Sequence, residues 1–89
     1  MPRIRFTPQL QRLIVTTDVE VAGTTVASAL GEAFAATPSL KAYILDDQGR
    51  LRQHVAVFVD GRQIRDRVRL QDSLAADSEV YVAQALSGG

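Results

Sequence analysis

The chain has 89 residues, 46% of them hydrophobic and 22% charged, which suits one compact domain and leaves no room for two. Ten Lys and Arg balance ten Asp and Glu, so the charge gives no reason to expect nucleic acid or an anionic membrane as partner. With no cysteine and one histidine, His54, the composition excludes disulfides, thiolate metal sites, a cysteine nucleophile and a zinc site built on histidines.

Nine of the ten basic residues are Arg, a choice suited to planar, bidentate pairing with carboxylates at an interface. Met1-Pro2-Arg3-Ile4-Arg5-Phe6 lacks the apolar stretch of a signal peptide, and no run approaches about 18 apolar residues. A cytoplasmic protein is expected.

Ile4 and Phe6 alternate with Arg3, Arg5 and Thr7, the period of a strand, and Pro8 ends it. Val15, Thr17, Val19 and Val21 alternate with Thr16, Asp18 and Glu20, which predicts a second strand paired back on the first as a hairpin and closed by Ala22-Gly23. Thr24 or Thr25 offers an N-cap hydroxyl. Val26, Ala29, Leu30, Ala33 and Phe34 then repeat at helical spacing, giving one helix with one buried stripe. Gly31 weakens that helix by about 1 kcal/mol relative to Ala, and Pro38 stops it near Ala36 or Thr37.

Ser39 to Leu45 offers a further short turn carrying Leu40, Tyr43 and Ile44, and Asp46-Asp47-Gln48-Gly49 is a loop with no cleft or metal implied by its paired carboxylates. His54 to Asp60 reads as a strand apolar on both faces, hence central or covered on both sides, with Val57, Phe58 and Val59 in the core. Asp60-Gly61 is a tight hairpin signal followed by a brief return strand from Arg62 to Arg65. Leu70 and Leu74, four apart, predict a turn of helix within 66–77, and Glu79 to Ala85 supplies the last strand, Val80 and Val82 opposite Tyr81 and Ala83. The basic residues Arg62, Arg65, Arg67 and Arg69 read most simply as a solvated edge that discourages strand-to-strand aggregation, with docking as the alternative. His54 reads as a strand-end imidazole.

The layout is α+β: a mixed sheet of four to five strands with one main helix packed across one face. Three stretches carry a resemblance: 46–61, which runs from the Asp46-Asp47 loop through the Val55–Val59 strand to Asp60-Gly61; Asp77-Ser78-Glu79-Val80; and the terminal Gly88-Gly89. With them the chain resembles the MoaD/ThiS family of sulfur-carrier proteins, which have the ubiquitin-like β-grasp fold. The resemblance covers nearly the whole chain, as a β-grasp domain over 1–85 and a flexible tail over 86–89. Leu86-Ser87 stands where members often carry an apolar or small run such as Val-Ala, and Ser87 is small enough to keep the tail slim. The Arg62 to Arg69 segment is more basic than the family pattern. The length is nearer to the carriers of molybdopterin or cysteine synthesis than to those of the thiamine pathway.

The resemblance implies that Gly89 carries the reactive carboxylate and that Gly88, Ser87 and Leu86 are held by a partner. It implies a carrier rather than an enzyme, with no cofactor or metal bound by the chain. It further implies that a ubiquitin-activating-like adenylating enzyme uses ATP to form the acyl-adenylate, that a sulfur-donor enzyme converts this to a thiocarboxylate, and that a downstream sulfur-accepting synthase consumes it in cofactor or cysteine biosynthesis. The glycines suit this task because residues without Cβ pass a narrow channel, and four extended residues reach roughly 13–14 Å. Two alternatives are the small subunit of a molybdopterin synthase and a non-catalytic β-grasp interaction module. A modifier attached to lysines would use the same terminus.

Overall fold

The structure, a computed structural model, describes residues 1–8 and 18–84. Five strands are described: β1 (Arg3–Phe6), β2 (Val19–Glu20), β3 (Val55–Val59), β4 (Arg62–Gln63) and β5 (Glu79–Gln84), with helices α1 (Val26–Ala36) and α2 (Ser39–Ile44) between β2 and β3. They form one mixed sheet in the order β2-β1-β5-β3-β4. The last strand lies at its centre, parallel to β1 and antiparallel to β3. The expected hairpin is present as the antiparallel pair Arg3 to Glu20 and Ile4 to Val19. The predicted residues Val15, Thr16 and Thr17 lie outside the described residues.

Alternation decides which side of each strand enters the core. Ile4, Phe6, Val55, Val57, Val80 and Val82 point to one face, where they meet Val26, Ala29, Leu30 and Ala33 of α1 and Leu40 and Ile44 of α2. Each fully buried Val, Leu or Ile side chain contributes about 1.5–3 kcal/mol. Helix α1 starts at Thr25, whose Oγ1 accepts from Ser28 N–H while Ser28 Oγ accepts from Thr25 N–H, both at 3.2 Å, so each satisfies an orphan donor. It ends at Thr37, before Pro38, as the sequence predicts.

The 66–77 segment departs from expectation, because it is a loop and not a turn of helix. Its carboxylates compete with helical hydrogen bonds: Asp66 accepts from the N–H groups of Val68, Arg69 and Gln71, and Asp72 from those of Arg65 and Asp66. Its carbonyls serve α1 instead. Val26 N–H donates to Asp72 O at 3.0 Å and Ala27 N–H to Leu70 O at 2.7 Å, two donors that a helix start leaves unpaired. Leu70 is nevertheless buried, so its apolar character was read correctly and its backbone was not.

A second correction concerns β3. It is one strand from the edge, and Ala56 and Phe58 are half-buried on the side away from the core, so Phe58 is not core, whereas Val59, also half-buried, packs against the core beside Val55 and Val57. The return strand is Arg62–Gln63, prolonged by Ile64 N–H donating to Val57 O at 3.0 Å. The turn between them has Asp60 at φ 51° and Gly61 at φ 83°, the paired positive angles of the tight hairpin expected from Asp-Gly.

Candidate functional site

The residues singled out for chemistry, Leu86, Ser87, Gly88 and Gly89, lie outside the described residues, as does Ala85. What the structure places is the strand that leads to them. β5 is held on both sides, with Phe6 opposite Val82 on β1 and Val55 opposite Gln84 on β3, and Thr7 N–H donates to Val82 O at 3.1 Å. A chain leaving the middle of a sheet cannot be pulled without breaking two ladders, whereas an edge strand would break one.

The face of the sheet away from α1 is divided by its chemistry. On β1 and β2 it is charged: Arg3 lies 3.5 Å from Glu20, and Arg5 lies 3.5 Å from Asp18 and 3.7 Å from Glu79. These pairs are exposed and contribute little stability, and with Glu79 at the start of β5 they set three carboxylates against two guanidiniums. On β5 and β3 the face is apolar. Tyr81 stands opposite Phe58 and Ala83 opposite Ala56, and Tyr81 is 40% exposed. Sequence reasoning placed Phe58 in the core and so missed this strip, although a tyrosine on the non-core side of β5 was a signal for it.

Two loop carboxyls sit below the ordinary carboxylate range. The backbone N–H of Arg50, and less strongly that of Gln48, holds Asp46 down. Arg69 N–H does the same for Asp66, aided by Gln71 and Val68. In both loops partial burial opposes the shift. Asp46 therefore organises the 46–50 turn, as the loop reading expects, and Asp47 beside it is exposed. Among the described residues, no group of three or more His, Cys, Asp or Glu side chains is placed to hold a metal ion, and no helix is long and apolar enough to cross a membrane.

The Arg62 to Arg69 segment does not act as one charged edge. Arg62, Arg65 and Arg69 are exposed. Arg67 turns inward, and its Nη2 donates to the carbonyls of Arg52 at 2.9 Å and Val55 at 2.8 Å. It ties the segment to the start of β3. His54, half-buried, borders the same place.

No model of a known protein family matches the chain, and no curated protein matches it. Solved structures do. The chain is similar to SAMP1 from Haloferax volcanii, at 26% identity and a TM-score of 0.79, over 99% of this chain and 98% of that one. It is similar to a chain of the Amycolatopsis orientalis BexX/CysO complex, at 19% identity and a TM-score of 0.81, over the whole of both. It is also similar to CysO of Mycobacterium tuberculosis, at 18% identity and a TM-score of 0.79, over 97% of this chain and all of that one. With the mixed five-stranded sheet and its one main helix, these likenesses show that the chain has the ubiquitin-like β-grasp fold and is similar over nearly its whole length to SAMP1 and CysO.

Proposed function

We propose that the chain is a sulfur carrier and that Gly89 provides the reacting carboxylate. The observation that carries this reading is the whole-chain likeness to SAMP1 and CysO, joined to a sequence whose central strand leads to Gly88-Gly89. A terminal carboxylate, with an ordinary pKa of roughly 3.3–3.7, is ionised at neutral pH and is a poor electrophile. Attack of its oxygen on the α-phosphorus of ATP, within a partner adenylating enzyme, releases pyrophosphate and makes the acyl carbon reactive. A hydrosulfide-level donor then attacks that carbon, AMP leaves with the original oxygen, and a thiocarboxylate remains. The chain's part is presentation. β5 fixes the root of the tail, and Leu86 and Ser87 with Gly88 carry Gly89 into the partner while the domain stays outside.

The apolar strip of Phe58, Tyr81, Ala56 and Ala83 beside that root is the docking face in this reading. A neighbour solved in a complex, BexX/CysO, supports docking of another protein on a chain of this fold. Downstream, the sulfur passes to a synthase of cofactor or cysteine biosynthesis.

A second reading, conjugation to protein amines, is favoured by the likeness to the Methanosarcina acetivorans small archaeal modifier protein 1, at 20% identity and a TM-score of 0.81. It begins with the same acyl-adenylate and differs in the nucleophile. Co-expression with an adenylating enzyme of the same organism separates the two. Intact protein in which one oxygen is exchanged for sulfur supports the carrier; adducts joined to lysines support the modifier; neither product leaves a plain interaction module.

A further inference from the structure

At the end of the fold from which the tail departs, a hollow holds more positive charge than its own residues neutralise. It is an open concavity of about 660 Å3, bordered by Asp46, Arg50, Arg52, His54, Arg67 and Val68. Its place is fixed by the sheet: His54 precedes β3, and Val55 is paired with Gln84, the last described residue before the tail.

Three guanidiniums face one carboxylate there. Arg50 Nε lies 3.4 Å from Asp46 Oδ2, which accounts for that carboxylate. Arg52 and Arg67 are different. Arg52 Nε donates to Ala42 O at 2.7 Å, and Arg67 Nη2 donates to Arg52 O and Val55 O at 2.9 and 2.8 Å. Carbonyls fix the side chains but bring no counter-charge. Among the described residues, neither guanidinium has a carboxylate within ion-pair distance. A guanidinium has five N–H donors in a planar fork, so each keeps donors to spare, and the ordering that a carboxylate partner would otherwise have to impose is already in place.

We propose that this hollow receives aspartate or glutamate side chains from an acidic loop of the protein that docks to act on the tail. The identity of that protein rests on the carrier reading; the chemistry of the hollow does not. The hollow is open and shallow, so a free anion would stay largely hydrated in it. A protein surface instead displaces water as it closes and strengthens each bidentate arginine–carboxylate contact. Val68, 59% exposed on the rim, adds apolar area at the edge of such a contact. Charge pairing beside the tail would also steer the encounter, which makes association sensitive to salt.

The test uses the full chain, isotope-labelled and followed by amide NMR, titrated with a short oligoglutamate peptide. Oligoglutamine and inorganic phosphate serve as parallel probes. The expected shifts cluster on Arg52, Gln53, His54, Arg67 and Val68, fade as salt is raised, and are absent with oligoglutamine. Arg52→Gln weakens binding by about tenfold, the size of one charge-assisted contact. Val68→Glu, at an exposed site where folding is not at risk, supplies a competing carboxylate and weakens it as well. Deleting Gly89 leaves the titration unchanged, so failure of the carrier reading and failure of this one are separable. Shifts with phosphate matching those with oligoglutamate would make the hollow a site for small anions and overturn the proposal. So would shifts that are absent, or that survive both substitutions.

Discussion

Phe58 on β3 and Tyr81 on β5 face each other across an antiparallel ladder, on the side of the sheet that α1 does not cover. Their neighbours along the same strands, Val57, Val80 and Val82, are fully buried on the other side. The pair therefore contributes little to the core and much to the character of the surface beside the tail. Replacing Tyr81 by Glu is expected to change stability by less than about 1 kcal/mol, as for most surface substitutions. It should nevertheless abolish sulfur loading in co-expression. Thermal denaturation and intact mass, measured on the same preparation, check both halves.

Ser78 links two of the stretches on which the family resemblance rests. Its Oγ donates to Asp60 Oδ2 at 3.0 Å and accepts from Ala75 N–H at 2.8 Å, while Asp60 Oδ1 accepts from Glu79 N–H at 2.9 Å. Ser78 is 2% exposed. Ser78→Ala leaves Ala75 N–H without its partner and removes a donor from Asp60, at a cost of about 1–3 kcal/mol. Urea denaturation should show a lower midpoint with an unchanged slope.

Gly31 lies on the exposed side of α1, and a Cβ added there meets nothing within 4 Å. Alanine removes backbone freedom from the unfolded chain without strain in the helix. Gly31→Ala is expected to stabilise the protein by about 0.4–1 kcal/mol, a gain readable in the same denaturation experiment.

Asp66 gives the loop before β5 an acid limit. Its carboxyl is held below the ordinary range chiefly by Arg69 N–H, so the folded state binds its proton less readily than the unfolded one. The stabilisation is complete above the unfolded carboxyl value of about 3.9 and is lost as pH falls through the lower folded value. Asp66→Ala should lower the melting temperature at neutral pH. The gap from the unsubstituted chain should narrow steadily below about pH 4. A gap that stays constant into acid would contradict the assigned cause.

Much of this fold was legible from local pattern. Ile4 with Phe6, Val55 with Val57 and Val80 with Val82 announce strands by alternation, and Val26 to Ala36 announces a helix by its stripe and Thr25 cap. Pairings between distant segments were not legible: nothing local to Glu79–Gln84 says that it lies between β1 and β3. The Leu70 and Leu74 spacing misled because Asp66 and Asp72 hold the backbone of 66–72 by side-chain hydrogen bonds, which periodicity does not register. Phe58 misled because an apolar residue reads the same whether it faces a core or a partner. Arg67 was grouped with its exposed neighbours, since only the folded chain brings it to the carbonyls of Arg52 and Val55. The proposed reactive residues, Leu86 to Gly89, come from the resemblance alone and fall outside the described residues.

The most direct measurement is tandem mass spectrometry of the C-terminal peptide after co-expression with an adenylating enzyme and a sulfur source. Sulfur in place of one oxygen on Gly89, and none in a chain lacking Gly89, is the result expected of the carrier. Unmodified Gly89 under conditions in which the same enzyme loads another carrier, or sulfur found elsewhere in the chain, would contradict it.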